Sequence, residues 1–184
     1  MRTRLVVLDR DGVLNEDSDA YIKSAAEWRP IPGSAAAVAA LKAAGFSVVV
    51  ASNQSGLGRG LFDQSALDAI HAKLGAELAA AGTALDGLYY CPHAPEAGCE
   101  CRKPAPGLLR RICADFQLPG EALVMIGDSL RDLQAAEAVG ARALLVRTGK
   151  GERTLAAHPN LPFEVHADLA AAAARLIAER EQQR

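Results

Sequence analysis

The chain has 184 residues, half of them hydrophobic and only 4% aromatic, with a formal net charge of −2. That length suits one domain, 1–184, whose core closes without disulfide staples, and the balanced charge with no long cationic run excludes the electrostatic footprint of a nucleic-acid binder. The apolar run near the N-terminus is too short for a signal-peptide core and no later segment approaches the roughly 20 apolar residues of a membrane span, so a cytoplasmic protein with no membrane partner is expected.

The first predicted element is "RLVVLD" (4–9), an apolar run ending in acid that reads as a buried parallel strand. A helical pattern covers 33–45, with Pro32 and Ser34 at its start and Gly45 at its exit. "FSVVVASN" (46–53) is the second strand, and 63–82 is a long helix with Asp63 as N-cap and Gly82 as exit. "GLYYC" (87–91), "ALVMIGD" (122–128) and "RALLVRTG" (142–149) are further strands, separated by helices over 105–116 and 129–140. Beyond residue 150 the pattern predicts a loop, a short strand near 163–165 and a terminal helix that frays.

Strands alternating with helices predict an α/β fold: a three-layer, doubly wound parallel sheet with right-handed crossovers and ligands beyond the carboxyl ends of its strands. Asp9, Ser52, Cys91 and Asp128 all fall at that edge. No repeat, linker or second domain interrupts the pattern, and no long apolar surface stripe remains, so a monomer is expected.

Asp9 and Asp11 lie two apart as the chain leaves its first strand, a spacing that puts both carboxylates on one side of an extended backbone. Two such groups repel unless a proton or a divalent cation sits between them. Asp128 in "GDSLRD" adds a third carboxylate, and hard oxygen ligands with open positions suit Mg²⁺. Asp128 or Ser129 also suits a helix cap, which is compatible with the metal role. "SNQSG" (52–56) offers a hydroxyl and the amides of Asn53 and Gln54 as neutral phosphate donors. Arg102 and Lys103 bring cations able to neutralise a phosphoryl group, although a basic pair is more often a solvated face. Arg59, in "GLGRG", is a further cation of this kind.

Cys91, His93, Cys99 and Cys101 lie within one short loop (91–104), and three thiolates with one imidazole suit a closed, structural Zn²⁺ site rather than a catalytic one. Such a site would brace the loop so that Arg102 and Lys103 point at the phosphate. Cys113 falls in an apolar helix stripe and reads as a small core residue, His71 as packing or surface, and His158 and His166 lie away from every motif. Trp28 packs or lines the site mouth.

The ordered set "LDRDGVLNE", "ASNQSG", "CRKP" and "IGDSLRD" resembles the four motifs of the haloacid dehalogenase (HAD) superfamily of phosphatases over nearly the whole chain. Within it, "DRDGVLN", "NQSGLGRG", "YYCPH" with "CECRKP", and "LLVRTGKG" resemble the heptose 1,7-bisphosphate 7-phosphatases. The resemblance implies a nearly capless Rossmann-like HAD fold. It makes Asp9 the nucleophile that carries an aspartyl-phosphate and Asp11 the general acid and base. Ser52 and Asn53 would hold the transferring group, Lys103 would stabilise its charge, and Mg²⁺ would sit between Asp9, the Asp11 backbone carbonyl and Asp128. Asp132 would support Lys103 or the metal shell.

The implied substrate is a phosphosugar, D-glycero-D-manno-heptose 1,7-bisphosphate, whose distal phosphate Arg59 would meet, with the product passing to nucleotide activation for lipopolysaccharide core. Two features depart from the family's pattern: Ser129 stands where relatives often carry a cation, and the loop between His93 and Cys99 is short. The anomer stays open. So do histidinol-phosphate phosphatase, which shares the motifs but tends to differ at Ser55, Arg59 and Gly60, and a noncatalytic zinc module. A DNA 3′-phosphatase is disfavoured by the absence of a basic surface.

Overall fold

An apolar run with no polar residue to alternate with needs cover on both faces. In the computed structural model, which describes residues 4–182, Leu5–Leu8 is such a strand (β1), with all four side chains buried. Leu5 and Val7 join the core on one face of the sheet, and Val6 and Leu8 join the core on the other. Around it lie Ser47–Asn53 (β2), Gly87–Cys91 (β3), Leu123–Gly127 (β4), Arg142–Val146 (β5) and Glu164–His166 (β6). The order is β3-β2-β1-β4-β5-β6 and every pair is parallel. This is the doubly wound arrangement expected from the alternation of elements.

Helices Ser34–Ala43 (α1), Gln64–Ala80 (α3) and Leu169–Gln182 (α7) pack on one face, sharing a core with Val6, Leu8 and Trp28. Gly107–Phe116 (α4) and Leu130–Glu137 (α5) cover the other face with Leu109, Ile112 and Leu133. Ser55–Gly58 (α2) is a single turn after β2. Asp63 caps α3 as expected, accepting from the Ala66 N–H at 2.9 Å. Residues 183 and 184 of the expected terminal helix lie outside the described residues. No helix among the described residues is long and apolar enough to cross a membrane.

The stretch after β5 departs from the expected loop. The strand stops at Val146, and Gly151–Ala157 forms a helix (α6). Local pattern does not announce this helix because tertiary contacts hold it. Thr154 is buried and donates through Oγ1 to the Asp128 carbonyl at 2.9 Å, and Gly151 packs so closely that a Cβ there would stand 1.8 Å from the Val146 carbonyl oxygen. The long connection from β1 to α1 is irregular, with bridges Asp11 to Asn15 and Asn15 to Pro30. Arg153 grips Asp19 with two contacts of 3.0 Å, and the Lys150 ammonium meets Asp17 at 2.7 Å, tying this strap to α6. Trp28 belongs to the core under the strap, 1% exposed, rather than to the site mouth.

Replacing Thr154 with Val keeps the volume and leaves the Asp128 carbonyl unpaired. A loss of about 1–3 kcal/mol in unfolding free energy is expected, read as a lowered urea midpoint; an unchanged midpoint would mean that α6 does not depend on that bond.

Candidate active site

The two halves of the sheet diverge at β1, and the loops leaving β1, β2 and β4 converge there. Lys103 reaches into this point almost fully buried, at 1% exposure. Its ammonium lies 3.1 Å from Asp9 Oδ1, 2.6 Å from Asp132 Oδ1 and 2.6 Å from the Ala51 carbonyl. Asn53 locks the Lys103 backbone, donating from Nδ2 to its carbonyl at 2.9 Å and accepting its N–H at 3.0 Å. Burial disfavours the ammonium, but Asp132 and Asp9 outweigh it and hold the Lys103 pKa above the ordinary lysine value.

Asp9 Oδ1 also accepts the Arg10 backbone N–H at 2.8 Å, while Oδ2 takes no hydrogen bond from the described residues. One oxygen is therefore fixed and the other is free of protein donors among the described residues. Asp11 lines the same cavity, but its oxygens face donors on the protein side: the Arg10 guanidinium, Asn15 Nδ2 at 2.9 Å and Gln54 Nε2 at 3.2 Å. Gln54 Nε2 donates to Ser52 Oγ as well, at 2.7 Å. Ser52 is 1% exposed and lies beneath Gln54, away from the cavity lining, whereas Asn53 and Gln54 line the cavity with their side-chain amides already engaged by the protein.

Asp128 stands across from Asp9 because the neighbouring backbone leaves room for it. Gly12 adopts φ +84° and a Cβ there would fall 2.0 Å from Asp128 Oδ2; at Gly149 it would fall 2.3 Å from the same atom. The Lys150 N–H donates to that oxygen at 2.7 Å. Ligand oxygens of Asp9, Asp128 and Asp132 lie within 4.8 Å of one another. Asp132 is already engaged, by Lys103 at Oδ1 and by the N–H and hydroxyl of Ser129 at Oδ2, which leaves Asp9 and Asp128 as the open pair.

Burial, together with the neighbouring carboxylates, pushes Asp9 up to about 7 against the pull of Lys103. Burial, then Asp9 and Asp132, pushes Asp128 up to about 8. Four carboxylates, Asp9, Asp11, Asp128 and Asp132, face two buried cations, Arg10 and Lys103. The donor set therefore fits a hard divalent cation, whose charge offsets the remaining two.

Cys91, His93, Cys99 and Cys101 meet in one cluster. The Cys91 and Cys101 sulfurs each lie 3.5 Å from the Cys99 sulfur, and His93 Nδ1 lies 3.5 Å from Cys91 and 3.2 Å from Cys101. A tetrahedral zinc site separates its sulfur and nitrogen ligands by about 3.5–3.8 Å. The spacing and the soft donors fit that ion, and the sulfurs are too far apart for a disulfide. The cluster is docked tightly: a Cβ on Gly58 would come 2.4 Å from the Ala94 nitrogen, and one on Gly107 would come 2.4 Å from the Glu100 carbonyl oxygen.

The cavity above these groups, about 260 Å³, is also lined by Arg102, Arg131 and Lys150 and by Asp17, Ser18, Asp19 and Tyr21 of the strap. Arg102 has a buried NH1 with no partner, and both burial and the nearby Arg131 charge disfavour its cationic form. Arg59, expected at a distal phosphate, instead pairs with Glu96 at 3.1 Å on an exposed rim and does not line the cavity. The sequence reading missed Arg131 and Lys150. Arg131 was legible as a cation two residues after Ser129, but nothing local signals that the strap from 16 to 22 folds over the site. Cys113 is half-buried against the core as expected. His71, half-buried beneath the site, is pushed down to about 4 by burial and then by the Arg10 charge.

A HAD-hydrolase-like family profile matches residues 100–172. The chain is 52% identical over 174 residues to the D-glycero-beta-D-manno-heptose-1,7-bisphosphate 7-phosphatase of Pseudomonas putida, covering 95% of this chain and 99% of that protein. It is 47% identical over 177 residues to the enzyme of the same name from Pseudomonas aeruginosa, covering 96% and 99%. A crystal structure of the D,D-heptose 1,7-bisphosphate phosphatase from B. bronchiseptica, complexed with magnesium and phosphate, superposes with a TM-score of 0.93 at 49% identity, covering 96% of this chain and 99% of that one.

Replacing Asp132 with Asn removes the closer of two anions from a buried ammonium. A loss of about 3 kcal/mol in unfolding free energy is expected, measured by urea unfolding; no loss would show that Asp9 alone compensates Lys103.

Proposed function

Because the chain belongs to the family of the D-glycero-beta-D-manno-heptose-1,7-bisphosphate 7-phosphatases and is a HAD-type phosphoric monoester hydrolase, we propose that it removes the 7-phosphate of the β-anomeric heptose 1,7-bisphosphate through an aspartyl-phosphate on Asp9. The observation that carries this reading is the asymmetry of the Asp9 carboxylate, with Oδ1 held by Lys103 and the Arg10 N–H and Oδ2 left free. The anomer rests on the relatives' names. The product heptose 1-phosphate would be ready for nucleotide activation, as lipopolysaccharide core assembly needs.

Asp9 Oδ2 attacks phosphorus, an O–P bond forms, and the bond from phosphorus to the C7 oxygen breaks as Asp11 delivers a proton to that oxygen. The Asp11 carboxylate then takes a proton from the water that attacks the same phosphorus, releasing phosphate and restoring Asp9. Lys103 stays beside the phosphoryl oxygens through both steps, and Asp132 keeps it there. Phosphoryl transfer asks mostly for positioning and charge neutralisation, which these buried groups supply.

Asp9 and Asp128, with the backbone of Asp11, would hold Mg²⁺, which when bound neutralises charge on the transferring group. Cys91, His93, Cys99 and Cys101 would hold a structural Zn²⁺. Arg102, Arg131 and Lys150 would receive the substrate's second phosphate, the role that Arg59 does not fill.

Asp9→Asn should abolish phosphate release while leaving the fold and one zinc per chain, measured by phosphate assay and elemental analysis. Arg131→Ala should raise KM about 10-fold or more for the bisphosphate, but leave KM for heptose 7-phosphate nearly unchanged; equal effects on both would remove Arg131 from the distal contact. Mg²⁺ binds the ionised carboxylates, and burial raises both Asp9 and Asp128 into the neutral range. Titration calorimetry should therefore give full affinity only above about pH 9 and progressive loss as the pH falls through 8 and 7, whereas a flat profile would place the cation elsewhere.

A further inference from the structure

The residue between the two reacting carboxylates is itself unusual. Arg10 is fully buried, at 0% exposure, and its NH1 has no hydrogen-bond partner. A buried guanidinium with an unpaired nitrogen is a stability liability, since an apolar side chain would fill the same volume without desolvating a charge. What it does form is a fork on its neighbour: Nε donates to Asp11 Oδ1 at 3.0 Å and NH2 donates to Asp11 Oδ2 at 3.1 Å. Adjacent residues on a regular strand would point to opposite faces. The turn that ends β1 at Leu8 turns both toward the same place.

The grip is uneven. Oδ1 has Arg10 Nε at 3.0 Å, Arg10 NH2 at 2.9 Å and Asn15 Nδ2 at 2.9 Å around it, while the Oδ2 contacts are the longer ones, 3.1 Å from Arg10 and 3.2 Å from Gln54. Four hydrogen bonds fill the acceptor sites of a carboxylate, so a proton carried by Asp11 has to displace one of them. The looser contacts give way first. Arg10 and Asn15 then still fix the plane of the carboxyl group while Oδ2 takes and gives the proton. Gln54 is suited to yield, because its amide keeps Ser52 Oγ as a second acceptor at 2.7 Å.

We propose that Arg10 is a positioning residue that clamps Asp11 by Oδ1 and leaves Oδ2 as the oxygen that exchanges protons with the leaving group and with water. This rests on the reading of Asp11 as proton donor. A fixed carboxyl plane matters only where the leaving oxygen needs a proton, as a sugar alkoxide does and a nitrophenolate does not.

The test compares kcat/KM for heptose 1,7-bisphosphate and for p-nitrophenyl phosphate, a quantity that stops at the first irreversible step and so excludes the later hydrolysis. Arg10→Lys keeps the charge and loses the fork. It should fall about 100-fold or more on the sugar phosphate and less than about 3-fold on the aryl phosphate. Equal losses on both substrates would overturn the proposal in favour of a merely structural ion pair. If Arg10→Lys does not fold, judged by circular dichroism, Asn15→Leu removes an uncharged donor from the clamped Oδ1 and should carry the same selective loss at smaller amplitude; its absence overturns the proposal. Asp11→Asn separates the two readings. Equal losses there would sink Asp11 as the proton donor, whereas selective loss in Asp11→Asn beside equal losses in Arg10→Lys sinks only the role of Arg10.

Discussion

The ammonium of Lys103 is held by three parts of the fold at once: Asp9 after β1, the Ala51 carbonyl in β2 and Asp132 on α5. A lysine 1% exposed cannot remain charged without such partners, because several kcal/mol of hydration are lost on burial. Satisfying it requires the loops after β1 and β4 and the end of β2 to stand at fixed distances from the β3–α4 loop that carries it. The arrangement of charged groups around Lys103 and the closure of the sheet edge are therefore one constraint. Asn53 extends it to the backbone on either side of the Lys103 nitrogen and carbonyl.

The cysteine and histidine cluster acts on the same constraint from the other side. The segment from Pro92 to Glu100 has no apolar residue larger than Ala or Pro to anchor it. Four soft donors gathered at 3.2–3.5 Å fit a metal ion, which when bound would supply the anchor that a hydrophobic core would otherwise provide. Gly58 and Gly107 allow the loop to lie directly on its neighbours, so its position transmits to Arg102 and Lys103, which follow Cys101 in the chain.

The strap after β1 closes the cavity without a separate cap domain. It is tied to α6 by ion pairs, Lys150 with Asp17 and Arg153 with Asp19, while Val13, Leu14, Ile22 and Trp28 anchor it in the core beneath. Lys150 links this wall to the carboxylate cluster, since its backbone N–H donates to Asp128 while its side chain lines the cavity. Exposed ion pairs such as Arg153 with Asp19 contribute little stability. Their value lies in setting where the strap rests.

Much of this was determined by the sequence alone. The apolar runs needed cover on two faces, which dictates a parallel sheet, and the residues that end them, Asp9, Cys91 and Asp128, had to meet at its carboxyl edge. The Cys₃His set could be read directly because soft ligands crowded into a short loop have few other uses. Tertiary structure decided which polar groups face the cavity and which face inward. Arg59 looked like a phosphate contact in "GLGRG" but is drawn to Glu96 on the rim, and Gln54 looked like a substrate donor but is drawn to Asp11 and Ser52. α6 forms because Asp128 and Val146 give Thr154 and Gly151 a place to pack, a condition invisible in local pattern. Periodicity and composition report what a segment must bury; only the folded arrangement, which brings residues 10 and 54 or 17 and 150 together, reports which charge each buried or half-buried group is paired with.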